Sequence, residues 1–416
     1  MNYNEKYFQT LLKQFRENKS SELKIYHPED EKNSNVYPFA LLKKEDLKDI
    51  HIEDYKNLKT DTSILKNVDL CLLKMHAGLG SSVKRIEHLK KCSGRDKLGS
   101  KGTDLYLKID DNYLSLAELQ LKQVELLNKK SIYNSVSIQN MINFETVDEV
   151  QKLNSKYKDY IDIKENINQE KMKTIGEDGE LTSKRLAPAG HAFLGFHILM
   201  DIFLSDTNNT EILSIGNGED LNSSADEKIV SWVCSNEIPI VMITTTKLEK
   251  DKKGGQISLV KEDQSSFVTI VEKAQAEKAN QLSYFEEIGL RENDEESLFN
   301  TNIVLINKKS LKTKFNKFIK YIEADEFMNI ISPDLIKNIK SQDGENFIQL
   351  EGAIGSTLLN LDKYFRLNFK TPLISFLNLD SRERENFFIP IKKMEDFEDL
   401  IDRYTYNNKT GRLDLK

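Results

Sequence analysis

The chain is predicted to be an α/β protein, with a mixed, mainly parallel sheet flanked by helices. Three observations point there. Apolar runs of strand length alternate with stretches of helical spacing from residue 69 to residue 246, the order that βα crossovers impose. One such run, Asp69-Leu-Cys-Leu-Leu-Lys-Met75, leads directly into His76-Ala-Gly-Leu-Gly-Ser-Ser-Val83, a loop of small residues. A chain of 416 residues, 38% of them hydrophobic, can bury a large core beneath such a sheet.

Taken in order, residues 1–64 read as a helical N-terminal appendage. Phe8, Leu11, Leu12 and Phe15 fall at helical spacing, a polar stretch with Pro28 and Pro38 follows, and the whole is expected to pack on the main body. Residues 65–402 form that body. Strands are expected at 69–75, 131–138, 211–216 and 238–246, and helices at 115–130, 191–205 and 225–235. Ser115 with Glu118 makes a capping box for the first helix, whose buried stripe is Leu116, Leu119, Val124 and Leu127. GQISLV and SFVTIVE, joined by KEDQS, read as a hairpin on the sheet edge. Arg291–Ser297 is a solvated acidic run, Lys308–Lys320 an exposed helix face, and residues 403–416 a short tail.

Composition excludes several classes of function. Sixty Lys and Arg against 67 Asp and Glu leave a net charge of -7, so no broad nucleic-acid surface is indicated and any anion site should be local. Cys71, Cys92 and Cys234 lie too far apart for a zinc pattern and too few for a disulfide framework. No apolar run reaches membrane-spanning length, and MNYNEKYFQT lacks the order of a signal peptide, so no membrane partner and a cytoplasmic location are expected.

The glycine loop carries the chemistry. Gly78 and Gly80 can take positive φ and have no Cβ, so peptide N–H groups can converge on a phosphate there; an ordinary βα turn is the competing reading. His191 begins an apolar helix, where it serves either a ligand or a cap, and His197 shares a face with apolar neighbours and should pack. Asn217-Gly-Glu219-Asp220 follows a strand directly, which suits either a carboxylate site or an acidic turn.

Ten segments carry a resemblance. In order, LLKMHAGLGSSV, YLSLAELQLKQVELLNKK, ENINQEKMKTI, LAPAGHAFLGF, LSIGNGEDLNSSAD, TTKLEKDKKGGQISLV, FVTIVEKAQ, FNTNIVLIN, FIQLEGAIGSTL and FFIPIKKMEDFEDL resemble successive blocks of UTP–glucose-1-phosphate uridylyltransferases, the UDP-sugar pyrophosphorylases. The resemblance implies a Rossmann-like nucleotidyltransferase fold that makes UDP-sugar and pyrophosphate from UTP and a sugar 1-phosphate, most simply glucose 1-phosphate, with Mg2+. By the same resemblance Met75, Ala77, Gly78, Gly80 and Gly190 meet the nucleotide, and Gln169 pairs with the uracil edge. His191 lies near the sugar phosphate, and Asn217, Glu272, Asn300 and Asn302 complete the sugar site. Glu219 first and Asp220 second are the metal ligands, while Lys253 and Lys392 face phosphate.

Departures from the family pattern are part of the reading. An insertion, Arg85–Leu98, follows the glycine loop, and Asp104 stands where the family has a phosphate-facing lysine. An acid there would repel a triphosphate, so Lys101, Lys84, Arg85 or Lys97 is expected to supply the charge. Lys101 is taken with Lys253 and Lys392 as the catalytic set. The family's eukaryotic members continue into a left-handed β-helix, and a complete one is not expected here, which favours a monomer or small homo-oligomer. A catalytically weak or inactive sugar-nucleotide-binding regulator of the same fold is the alternative.

Overall fold

The runs that read as strands carry apolar residues on both faces because they are buried on both, as parallel strands between helices must be. The computed structural model describes residues 2–17, 25, 32, 34–39, 42, 46–81, 83–206, 210–251, 254–262, 265–278, 280–287, 298–342 and 344–416. In it these runs join a 12-stranded sheet. Its main path passes through His51–Asp54, Ile374–Leu379, Ile240–Thr245, Phe299–Asn307, Glu211–Asn217, Asp69–Met75, Ser135–Asn143 and Asp162–Ile163. Neighbours on this path are parallel except around Phe299–Asn307, which runs against both of its neighbours. The mixed, mainly parallel sheet is therefore the predicted one. Met75 lies opposite Asn217 on one side and Met141 on the other, so three parallel strands bring their carboxyl ends together. That edge is where ligands of open α/β sheets collect.

The predicted helices occupy Leu116–Lys130, Ala192–Leu204 and Glu227–Ser235. Ser115 accepts the Glu118 N–H at 3.1 Å, but the Glu118 side chain turns away to Lys156 and to the Tyr157 hydroxyl, so only half of the expected capping box forms. The strand expected at 131–138 is displaced to Ser135–Asn143. Ser131 ends the preceding helix in left-handed backbone, and the Asn128 side chain accepts from the Val136 N–H at 2.9 Å and donates to its carbonyl at 2.7 Å. Residues 131–134 therefore make the turn. The hairpin Gln256–Glu262 and Ser265–Val271 forms as read and joins the sheet through Gln256 opposite Phe299. Lys308–Phe318 is a helix that buries Leu311, Lys312 and Phe315, and the run 291–297 lies outside the described residues.

A second sheet was not foreseen from the sequence. It runs antiparallel in the order Leu181–Pro188, Lys171–Ile175, Glu345–Glu351, Ile336–Gln342. This outer sheet stands over the carboxyl edge of the central one. The N-terminal helix, Tyr3–Arg16, lies behind it, and its Tyr7, Phe8, Leu11 and Leu12 share one core with the Ala192–Leu204 helix. At ~1.5–3 kcal/mol per fully buried large side chain, these four exceed what a helix of this length gains from propensity alone.

The expected C-terminal tail is a hairpin, Tyr404–Asn407 with Arg412–Leu415. The Asn222 side chain donates to Leu413 O and accepts from its N–H, both at 2.8 Å, so the hairpin is stitched to the turn after Glu211–Asn217. Among the described residues, no helix is long and apolar enough to cross a membrane.

Candidate active site

The strand Asp69–Met75 ends at the glycine loop, and what holds that loop open is an arginine beneath it. Arg85 is 1% exposed, and its guanidinium donates to the carbonyls of Leu79 (2.5 Å), Gly80 (2.9 Å), Val83 (3.2 Å) and Gly99 (2.9 Å). Asp104 neutralises it at 2.9 Å, pairs with Arg95 at 2.6 Å and accepts the Gly99 N–H at 2.8 Å. With these carbonyls drawn inward, the N–H groups of Gly78, Leu79, Gly80 and Ser81 form no hydrogen bond among the described residues. Main-chain donors left this way form an anion-binding concavity.

This arrangement corrects two expectations. Asp104 does not face a ligand, because its carboxylate is enclosed between two guanidinium groups. Arg85 in turn supplies no charge to a phosphate, because five acceptors already occupy it. Lys97 lies at the surface, paired with Asp148 at 3.6 Å. Lys101 runs beneath Gly80, where an added methyl would lie 2.6 Å from its Cγ, and its ammonium contacts Glu219 and donates to Ile391 O at 2.8 Å.

Behind the loop, His76 joins it to the turn that carries Glu219. Its ring bonds Ser100 Oγ at 2.9 Å and Gln120 Oε1 at 3.2 Å, while Gln120 Nε2 donates to Gly218 O at 3.0 Å. Burial pushes its pKa down to about 4, so the ring is neutral, with one nitrogen donating to the Gln120 carbonyl and the other accepting the Ser100 hydroxyl. A methyl at Gly102 would stand 2.2 Å from Gly218 O, which makes that glycine obligatory at this contact. Lys74 is fully buried and its ammonium donates to Ser223 O (2.8 Å), Ser223 Oγ (3.1 Å) and Asp220 O (3.3 Å). Burial drives the Lys74 ammonium down and the Asp220 carboxyl up, while each opposes the shift of the other.

Asp220 does not reach the cavity. Its two oxygens accept the N–H groups of Asn222 (3.0 Å) and Ile389 (2.9 Å) inside the body, so its expected place as a metal ligand is not what the geometry offers. Glu219 keeps 13% of its side chain exposed beside Lys101. Among the described residues no group of three His, Cys, Asp or Glu is placed to hold a metal ion by itself. One carboxylate at a strand end still suits a hard divalent cation that takes its remaining ligands from phosphate and water.

A cavity of about 410 Å3 opens between the two sheets. It brings together Met75, Ala77, Gly78, Gln169, Gly190, His191, Asn217 and Asn302 from the sequence-predicted set. Gln169 is buried and donates one carboxamide N–H to Gly190 O at 2.5 Å. Gly190 needs its glycine, with φ at +80° and the place of a Cβ only 2.7 Å from Glu351 Cβ. His191 accepts the Ile354 N–H on Nδ1 at 3.2 Å, which caps the helix Ile354–Phe369 and leaves the proton on Nε2. Burial pushes its pKa down to about 4, so at neutral pH it is a neutral donor. His197, as expected, packs, edge-on to Tyr3 at 4.9 Å. Asn302 sits at a bulge where pairing shifts between Ile243 and Thr244; its φ of 61° turns it into the cavity, and Asn300 donates to its Oδ1 at 2.9 Å.

The outer wall holds residues that sequence reasoning missed: Pro188, Asn338, Lys340, Gln349 and Glu351, with Met141 below them. Gln349 and Glu351 stand in FIQLEG, where polar residues alternate with apolar ones, and that period-2 signal marks a strand presenting one face. Asn338 donates to Glu351 Oε1 at 2.8 Å and Gln349 to its Oε2 at 3.2 Å. Glu272 lies beside this wall. Burial, with the nearby Glu351 charge, pushes its pKa up to about 7, and Lys392 acts against that rise. Lys392 is half exposed and 3.9 Å from Asp251, itself paired with the buried Arg384 at 2.8 Å. Lys253 lies outside the described residues.

Comparison with known proteins agrees with this architecture. The UTP–glucose-1-phosphate uridylyltransferase family profile matches residues 6–415. A protein of that name from Encephalitozoon cuniculi is 26% identical over 356 residues, which is 83% of this chain and 60% of that relative. The Saccharomyces cerevisiae protein of the same name is 28% identical over 309 residues, 70% of this chain and 54% of its own length. The chain thus spans little more than half the length of these curated relatives. Among solved structures, the UDP-glucose phosphorylase of Trypanosoma brucei superposes with a TM-score of 0.69 at 17% identity, over 98% of this chain and 77% of that one. The open and closed structures of the Leishmania major UDP-glucose pyrophosphorylase give 0.68 at 18%, over 99% and 79%. The structural likeness establishes the shared fold, and the match along nearly the whole sequence establishes descent: the chain belongs to the UTP–glucose-1-phosphate uridylyltransferase family.

Proposed function

We propose that the chain transfers a uridylyl group from UTP to a sugar 1-phosphate, glucose 1-phosphate above all, and releases pyrophosphate. The observation that carries this reading is one cavity with two unlike ends: loop amides beside Gly78 that have no partner among the described residues, and a polar wall of Asn302, Asn338 and Glu351. The first end suits phosphate and the second a polyhydroxylated ring.

In this reaction an oxygen of the sugar phosphate attacks the α-phosphorus of UTP in line, the bond from that phosphorus to the β-phosphate oxygen breaks, and pyrophosphate leaves with the electron pair. No protein nucleophile is required. Met75 packs against the base and Gln169 meets the uracil edge with the carboxamide atoms not engaged by Gly190. The amides around Gly78 and Gly80 take the nucleotide phosphates, His191 donates through Nε2 to the sugar phosphate, and Asn217, Glu272, Asn300 and Asn302 bind or brace the sugar side. Lys101 and Lys392 bring mobile positive charge to the transferring group, a role in which Lys253 is the third member. Glu219 is the residue that would hold a divalent ion, Mg2+ by its oxygen preference, and the ion would supply charge neutralisation of the phosphates.

The free thiols Cys71, Cys92 and Cys234 agree with a reducing cytoplasm, and a monomer or small homo-oligomer is the assembly proposed. Release of pyrophosphate from UTP with magnesium and a panel of sugar 1-phosphates tests the proposal. Turnover with glucose 1-phosphate is expected. Binding of UDP-glucose without turnover would replace it with the inactive-regulator reading, which has lost one support now that Asp104 is seen to face its arginines.

A further inference from the structure

We infer that the N-terminal helix, Tyr3–Arg16, is part of the nucleotide site: its buried polar stripe positions the residues that recognise the base. The inference rests on the uridylyltransferase reading and deepens it. Asn4, Tyr7, Leu11 and Gln14 follow one another at helical spacing and share one face of that helix. Packing alone would be served by apolar side chains there, as it is at Leu11. Asn4 and Tyr7 instead reach main-chain atoms next to cavity residues, and Gln14 reaches the turn that leads into a cavity strand.

Asn4 brackets Gln169. Its Nδ2 donates to Asn168 O at 3.1 Å and its Oδ1 accepts the Glu170 N–H at 2.9 Å, so both peptide neighbours of Gln169 hang from one carboxamide. The Tyr7 hydroxyl donates to Ala189 O at 3.1 Å, one residue before Gly190, whose carbonyl receives the Gln169 side chain. A closed circuit results, from the helix through Gln169 to Gly190 and back. Gln14 does the same for the outer wall: its Nε2 donates to Ser332 Oγ and Pro333 O, both at 2.8 Å, and its Oε1 accepts the Leu335 N–H at 3.2 Å. That turn leads into the strand Ile336–Gln342, which carries Asn338 and Lys340.

The physical case is one of geometry and leverage. Gln169 ends a strand of three residues, Ile167–Gln169, paired among the described residues only to Ser135–Asn143, so its own sheet contacts hold it weakly. Asn4 is 8% exposed and the Tyr7 side chain fully buried, and polar groups so placed are stabilising only while their partners stay in reach. Helix and wall therefore fix each other. Asn4, Tyr7 and Gln14 are positioning residues, since they act through Gln169, Gly190 and the Asn338 strand.

Steady-state kinetics of the full chain tests this. Asn4→Ala is expected to raise the KM for UTP about tenfold with kcat within twofold, and to lower the preference for UTP over CTP. Asn4→Asp keeps the acceptor, loses the donor, and should fall between the two. Tyr7→Phe, which removes a single hydroxyl, should shift the same KM by about threefold and carries the test if Asn4→Ala does not fold. Gln14→Ala should raise the KM for glucose 1-phosphate instead, and Gln9→Ala, on the exposed face, should change neither. Unchanged UTP KM and unchanged base preference in folded Asn4→Ala and Tyr7→Phe, with the wild type active, would overturn the inference and leave the proposed function standing. A wild type that neither turns over nor binds UTP would instead overturn the function, and this inference with it.

Discussion

The two walls of the cavity are held by different physics. Beneath the glycine loop lie buried ions: Arg85 and Arg95 on Asp104, and Lys74 beside Asp220 and Ser223. Across the cavity, the outer wall is held mainly by carboxamides, with Asn338 and Gln349 on Glu351, Gln349 on Pro188 O at 2.6 Å, and Gln14 from the N-terminal helix. A buried ion pair tolerates little displacement, since either charge left alone is far costlier than the pair. Hydrogen bonds of carboxamides can be exchanged for water at about 1–2 kcal/mol each. The inner wall is thus the more rigid of the two, and the outer wall is the one whose bonds exchange at lower cost.

The sharpest way to break that contrast is Asp104→Ala. It strands Arg85 without its carboxylate, so we expect a loss of about 3–5 kcal/mol in urea unfolding, together with a large fall in pyrophosphate release. A variant as stable as the wild type would show that the charges beneath the loop are not what holds it. Next comes Lys101→Met, which should reduce kcat by about 10²–10³ while moving the UTP KM only slightly, if its charge acts chiefly in the transition state. An equal change in KM with kcat untouched would make it a ground-state contact.

A pH series separates the walls in another way. The His76 pKa is near 4 in the folded chain and about 6.5 in an unfolded one, so between those values the unfolded chain binds the extra proton. Stability from His76 is therefore complete above pH 6.5 and lost as pH falls towards 4. Glu272, raised to about 7, works the other way, with its contribution lost as pH rises from about 4.5 to 7. The stability advantage of the wild type over His76→Gln, from urea midpoints at each pH, should hold above 6.5 and shrink below it. A constant difference would mean that the ring is not buried neutral. The smallest effect belongs to the outer wall: Asn338→Ala removes one donor to Glu351 and should raise the KM for glucose 1-phosphate several-fold while lowering stability by only about 1 kcal/mol. A stability loss as large as that of Asp104→Ala would erase the distinction between the walls.

Much of the inner wall was legible in the chain because it is written locally. An apolar strand, a loop of small residues and a capped helix are patterns of period and punctuation, and the glycines fall where φ and close approach demand them. Asp104 shows where such reading stops. Beside a phosphate loop its charge looks like a defect, and nothing in the order of residues says that Arg85 and Arg95 turn back to enclose it. Asp220 is the same case, since Ile389 and Asn222 decide which way its carboxylate points. The outer sheet was missed because its strands are half-exposed and polar in much of their length, and because it is closed by a pairing of Ile348 with Ile175, far apart in the chain.

The sequence by itself determined the alternation of strand and helix, the position of the glycine loop, and the face of the N-terminal helix that must be buried, because these follow from periodicity over a few residues. Tertiary structure alone decided which charges are neutralised, which carboxylate of the Glu219–Asp220 pair keeps some exposure, and that a helix expected to be an appendage grips both sides of Gln169. The reason is physical: the energy of a charge or a buried amide depends on what surrounds it in space, and neighbours in space are chosen by the fold as a whole.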